Sequence, residues 1–190
     1  QSQGDKFVEH GHRLAGVLIG LLSIALALIV RLDSRRWVRV FGFVILLAVI
    51  TQGLLGGLRV LADENVAALI HGGLAAWIFT LMAIMVLVTS RSWAKTSHQI
   101  EQSDMSRLKP FVVLTPIVLF AQYTLGGMVR HLGLALFEHV GFAVISLLMV
   151  IATVVVLWRS NIAWLRRPAM WLLAFVCLQI LLGVGSWLTK

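Results

Sequence analysis

Read from its amino terminus, the chain alternates long apolar runs with short polar breaks. A membrane span needs roughly 20 apolar residues. Six runs come close to or reach that length: Glu9–Val30, Val38–Val60, Val66–Val88, Phe111–Val129, Leu134–Leu157 and Ala169–Leu188. Each is expected to be one transmembrane α-helix. The fold class that follows is all-α, a polytopic transmembrane helical bundle. Composition agrees, since only 13% of the 190 residues are charged and the hydrophobic share is 59%. Soluble domains carry about 25% charge, so this chain has too little polar surface to coat itself against water.

An internal repeat extends this picture. A shift of 127 positions lays His12 on His139, Trp37 on Trp164, Arg39 on Arg166, Gln52 on Gln179 and Gly56 on Gly183. The first and second spans thereby match the fifth and sixth, running in the same direction, so the pseudo-axis is expected along the membrane normal. The third span then lacks a partner after the sixth, and the fourth lacks one before the first. Six spans out of eight are expected here, in two pseudo-symmetric four-helix halves. The repeat also predicts a further histidine beyond Lys190, matching His71. The expected organisation is an N-terminal half-bundle over residues 1–89, a cytoplasmic linker over 90–109 and an incomplete C-terminal half-bundle over 110–190. His98 falls in the linker and reads as a solvated residue.

Net charge is +8, a balance that in a soluble protein would raise nucleic acid as a partner. The distribution argues otherwise. Eleven of the 16 basic residues fall in the three loops after the first, third and fifth spans. The positive-inside rule makes that side cytoplasmic and puts both termini on the outer face, in a bacterial inner membrane. The lipid bilayer is thus an expected partner and nucleic acid is not. Trp77, Trp158, Trp164, Trp171 and Trp187 include interfacial anchors. The single cysteine, Cys177, excludes an internal disulfide and any CxxC site.

Ionisable residues inside spans are costly, so each marks a functional position by default. His12, His71 and His139 each lie a few residues inside the outer end of an odd-numbered span, and are expected at one depth. Bundles build cofactor sites from side chains on facing helices in this way. Zinc sites draw three or four ligands together, whereas heme takes two axial ligands from opposite sides of a flat ring. Heme iron held by His12, His71 and His139 is the sharper reading. Core histidines bonded to backbone are the plainer one. Gly72, Gly73 and Gly141, beside the histidines, are expected to leave room for a macrocycle. Arg13, Arg59 and Arg130 stand at the outer rim, suited to heme propionates through the guanidinium fork or to simple snorkelling. Glu9 shares a helical face with His12 and reads as a proton-transfer group, a partner for the helix dipole or a salt bridge to Arg13. His131 is a spare ligand, and His10 reads as interfacial. Glu138 sits beside His139 in sequence, although adjacent helical residues do not face each other.

Four segments resemble one family. Glu9-His-Gly-His12-Arg13 is similar to the Glu-x-x-His-Arg start of the second helix in heme A synthases. Gln52-Gly-Leu-Leu-Gly-Gly-Leu-Arg59-Val resembles their third helix, Leu69-Ile-His71-Gly-Gly-Leu-Ala their fourth, and Gln122-Tyr-Thr-Leu-Gly-Gly-Met-Val-Arg130-His131 their fifth. The resemblance covers nearly the whole chain. It implies eight helices in two homologous halves and oxidation of a methyl group of heme O to a formyl, giving heme A for terminal oxidases. It further implies that His12 and His71 flank the substrate heme, that Glu9 is catalytic, and that His139 ligates a heme b that relays electrons. Heme O synthase and terminal oxidase assembly factors are the partners implied, and self-association stays open. The chain departs from the family in lacking its first and eighth helices, its fourth histidine and the cysteine pair of some members. The outer link from Arg130 to His139 is also short. Two readings compete with the enzyme: a membrane b-type cytochrome that only carries electrons, and a structural membrane subunit with incidental histidines.

Overall fold

The structure, a computed structural model, describes residues 3–62, 65–91, 93, 102–160 and 162–189. Among them it holds six long helices: α1 (Gln3–Val30), α2 (Arg36–Ala62), α3 (Asn65–Thr89), α4 (Gln102–Leu132), α5 (Leu136–Arg159) and α6 (Arg166–Leu188), with a 3₁₀ turn at Ala163–Leu165 before α6. All six are long and apolar enough to cross a membrane, and the described residues contain no strand. Helices are what such runs must become, because hydrocarbon leaves backbone N–H and C=O groups no partner outside the segment. Side chains such as Leu21, Phe79, Val86, Ile145 and Leu181 stay exposed along the spans. Apolar exposure on this scale belongs to a lipid-facing surface.

One boundary differs from the sequence reading. The linker expected over 90–109 is helical from Gln102 onward, so α4 begins well before its apolar run. Leu108 explains the extension: it is buried with Val150, Val154, Leu157, Ile162 and Ala169. A hydropathy pattern registers lipid-facing length and misses a helix end pinned by one buried leucine. His98 and Lys95 lie outside the described residues.

The chain forms two compact units, Gln1–Lys95 and Thr96–Lys190. In the first, α1 packs on α2 and α2 on α3, while among the described residues α1 and α3 meet through side chains only, with no Cα pair within 8 Å. Its core is Val30, Val38, Ile45, Met85 and Val88, from the end of α1, the start of α2 and the end of α3. A side chain at Gly42 would collide with Val30, so glycine there lets α1 and α2 close at this end. Arg35 draws the same end together, donating to both Asp33 carboxylate oxygens at 3.0 and 2.8 Å and to the Val88 carbonyl at the end of α3 at 2.9 Å. Such a contact satisfies one of the carbonyls a helix end leaves open. The side-chain hydrogen bond from Arg35 lowers the Asp33 carboxyl from its usual 3.8 to about 2.

In the second unit α4 packs on α5 and α5 on α6. Thr115 of α4 and Thr153 of α5 share a buried hydroxyl hydrogen bond of 2.6 Å. The turn from α4 to α5 uses two left-handed residues, Gly133 (φ 66°) and Ala135 (φ 64°). Glycine accepts that conformation freely, while alanine is strained by roughly 1–2 kcal/mol. Ala135 nonetheless caps α5, and its carbonyl takes the His139 N–H at 2.9 Å.

Candidate functional site

In the first unit the packed core and the histidines occupy opposite ends. His12 precedes Val30 by 18 residues and His71 precedes Val88 by 17, about 25 Å along each helix. At that far end α1 and α3 both flank α2, and an imidazole from each meets the other. The ring centres of His12 and His71 lie 6.2 Å apart, with their planes at 77°. His12 is exposed on α1, and His71 is half-buried on α3.

His71 is held from behind by α2. The Gln52 side-chain nitrogen donates to the His71 backbone carbonyl at 3.0 Å and approaches ring Nε2 at 3.3 Å. Gly56, one turn further along α2, shares a face with Gln52. A Cβ at Gly56 would sit 3.0 Å from His71 Cε1, so glycine provides the slot for the ring.

The second unit repeats this device. Gln122 of α4 donates to the His139 carbonyl at 3.1 Å and approaches ring Nδ1 at 3.1 Å. A Cβ at Gly126 would again sit 3.0 Å from the ring Cε1, here of His139. In both units a Gln-x-x-x-Gly face on one helix receives the histidine of the next. Oε1 of Gln52 and of Gln122 is buried without a hydrogen-bond partner among the described residues.

The other expected residues fall as follows. Glu9 accepts a bond of 2.6 Å from Arg13, one turn on, with the two side chains 47% and 61% exposed. At such exposure an ion pair adds little to stability, so the pair is a local arrangement at the rim and no anchor of the fold. Arg130 is exposed in the last turn of α4, followed by half-buried His131. Arg59 lies on α2, and its side chain is outside the description. Glu138 is exposed. Cβ atoms at Gly73 and Gly141 would meet nothing within 4 Å, and the glycines against the imidazoles themselves are Gly56 and Gly126 of the preceding helices.

Sequence reasoning gave no role to Gln52 or Gln122. The signal was present, because an amide inside a span costs several kcal/mol unless paired (about 4–8 into a solvent that cannot hydrogen-bond). Gln followed four residues later by Gly recurs at 52/56, 122/126 and 179/183.

The geometry can be tested against a metal macrocycle. Metal–imidazole bonds run about 2 Å, so two imidazoles on opposite sides of one metal hold their ring centres roughly 6 Å apart. The 6.2 Å separation of the His12 and His71 ring centres matches that distance, while His71 Nε2 itself lies against Gln52 of α2. The surroundings fit as well, since Cβ atoms at Gly16, one turn from His12, and at Gly73 would meet nothing within 4 Å. Among the described residues no cluster of three or more His, Cys, Asp or Glu forms a metal cage.

Six apolar spans with histidines seated at helix–helix contacts define a polytopic integral membrane protein. Residues 1–137 match the family described as cytochrome oxidase assembly protein, and the chain belongs to that family. A heme A synthase from an Exiguobacterium species is 26% identical over 208 aligned residues, covering 97% of this chain. The chain spans 66% of that relative's length, a little under two thirds. No solved structure matches.

Proposed function

We propose that the chain carries the reaction site of a heme A synthase, which oxidises a methyl group of heme O to the formyl of heme A. The observation that carries this reading is the His12–His71 pair, one imidazole from α1 and one from α3, with ring centres 6.2 Å apart. Its support comes also from family membership and from the named relative. In this reading His12 and His71 hold the substrate heme, and His139 holds a heme b in the second unit.

The chain's own groups then have distinct tasks. Neutral imidazoles are the ligating form, and α2 and α4 hold His71 and His139 through Gln52 and Gln122. Iron supplies the redox chemistry when heme is bound. Glu9, three residues before His12, takes protons released as the methyl carbon is oxidised. Arg13 fixes the Glu9 carboxylate at 2.6 Å, and Arg13, Arg59 and Arg130 provide cations for propionates. The basic loops face the cytoplasm and the histidine ends the outer side of a bacterial inner membrane. An enzyme making heme O supplies the substrate, and terminal oxidase assembly consumes the product.

The test is Glu9→Ala in cells that make heme O. Heme should stay bound while heme A formation is lost. Unchanged heme A formation would instead favour an electron-carrying b-type cytochrome. A reduced-minus-oxidised spectrum of the unaltered protein without heme bands would end the heme reading altogether.

A further inference from the structure

The Gln52 amide bears on how the site exchanges its ligand. Its nitrogen stands 3.0 Å from the His71 carbonyl and 3.3 Å from ring Nε2. A carbonyl only accepts, so it fixes which end of the amide lies here. One amide hydrogen goes to the carbonyl, and the other points at the ring nitrogen. The contact is a hydrogen bond in the tautomer that carries the ring proton on Nδ1 and leaves the Nε2 lone pair to accept. A neutral imidazole has a single ring lone pair, and it is the one a metal takes.

We propose that Gln52 is a positioning residue that holds the metal-binding lone pair of His71 while no heme is bound, gives it up to iron, and takes it back when heme leaves. This rests on the reading of His71 as an axial ligand of the substrate heme. Three features make the exchange reversible. The amide's bond to the His71 carbonyl is independent of the ring, so α2 and α3 stay joined when iron displaces the amide. The Gln52 oxygen is buried without a partner among the described residues, so no bond at that end of the amide holds it against the ring. Gly56 leaves the ring edge no Cβ to climb over as it shifts. An enzyme that must release a modified heme gains from such a group, because the departing iron's place is filled at once and the bare lone pair is never left in an apolar site. Gln122 approaches the other ring nitrogen of His139, Nδ1, at 3.1 Å, so the exchange is proposed for His71 alone.

The sign of the effect separates this role from ordinary support of a ligand. Removing a supporting partner of a metal ligand weakens metal binding by roughly 10- to 100-fold. Removing a competitor for the lone pair strengthens it, by roughly two- to tenfold for one neutral hydrogen bond. The experiment uses the whole chain in detergent, loaded with heme, and follows transfer of heme to an excess of a soluble heme-scavenging globin. Gln52→Leu should slow release from the first unit by that two- to tenfold factor; faster release would overturn the proposal. Nitrogen NMR of ¹⁵N-histidine-labelled, heme-free protein gives a reading that requires no variant. His71 should carry its proton on Nδ1, and a proton on Nε2 would overturn the proposal. If the unaltered protein takes up no heme, the functional reading falls and this proposal with it. If it takes up heme and Gln52→Leu releases it faster, only this proposal falls.

Discussion

Gly56→Ala tests the histidine slot with one methyl group. The new Cβ would lie 3.0 Å from His71 Cε1, several tenths of an ångström inside ordinary contact, and the ring has Gln52 on its other nitrogen-bearing edge. Overpacking of this kind costs about 1–3 kcal/mol. Replacing glycine by alanine inside a helix returns about 1 kcal/mol, so overall stability should fall by no more than about 2 kcal/mol. The strain falls on a ring whose position sets the 6.2 Å spacing to His12. At 1.4 kcal/mol per decade, heme affinity in the first unit should drop by roughly 5- to 150-fold. The assay is a heme titration of the purified protein by absorbance, with thermal unfolding alongside. Gly53→Ala is the control, because a Cβ there would meet nothing within 4 Å on the same helix. Equal heme affinity for the two variants would refute the slot and the placement of His71 as a ligand.

Three further outcomes concern the frame that holds the site. Ala135→Gly should stabilise the second unit by about 1 kcal/mol, read as a higher unfolding temperature, because it relieves a left-handed alanine at the cap of α5. Gly42→Val should destabilise the first unit by about 1–3 kcal/mol through its clash with Val30, read by thermal unfolding. Asp33 titrates at about 2 in the folded chain against the usual 3.8, so the folded state binds its proton less readily than the unfolded state. Its contribution to stability is therefore present above about pH 4 and fades as pH falls toward 2. Asp33→Asn should flatten the acid limb of stability against pH in that window.

Much of the fold is legible as hydropathy, because lipid leaves an apolar run of this length little choice but a helix. The early start of α4 was hidden, since it depends on where Leu108 lands against Val150 and Leu157. The histidines stood out individually as costly residues in spans. Their company did not. That His12 meets His71 follows from α1 and α3 both lying on α2, a fact of packing and not of spacing. Gly72, Gly73 and Gly141, beside the histidines on the same helix, were read as room for a macrocycle, and the slot for the rings was not foreseen. The ring edges meet Gly56 and Gly126, because a slot is lined by the neighbouring helix. Gln52 attracted notice only as a repeat match to Gln179 and as the first residue of a family-like segment. Its link to His71 required the antiparallel register of α2 and α3. The repeat laid His12 on His139, while the structural device matches Gln52, Gly56 and His71 with Gln122, Gly126 and His139.

Whether His12 and His71 share one iron can be read from the spin state of ferric heme in the intact chain, by low-temperature electron paramagnetic resonance. Two imidazoles on one iron give a low-spin signal. His12→Ala and His71→Ala should each abolish the first unit's low-spin signal and lower its heme content, while the signal that depends on His139 persists. A first-unit signal unchanged in either variant, or loss of both signals together, would contradict the pairing on which the proposed function stands.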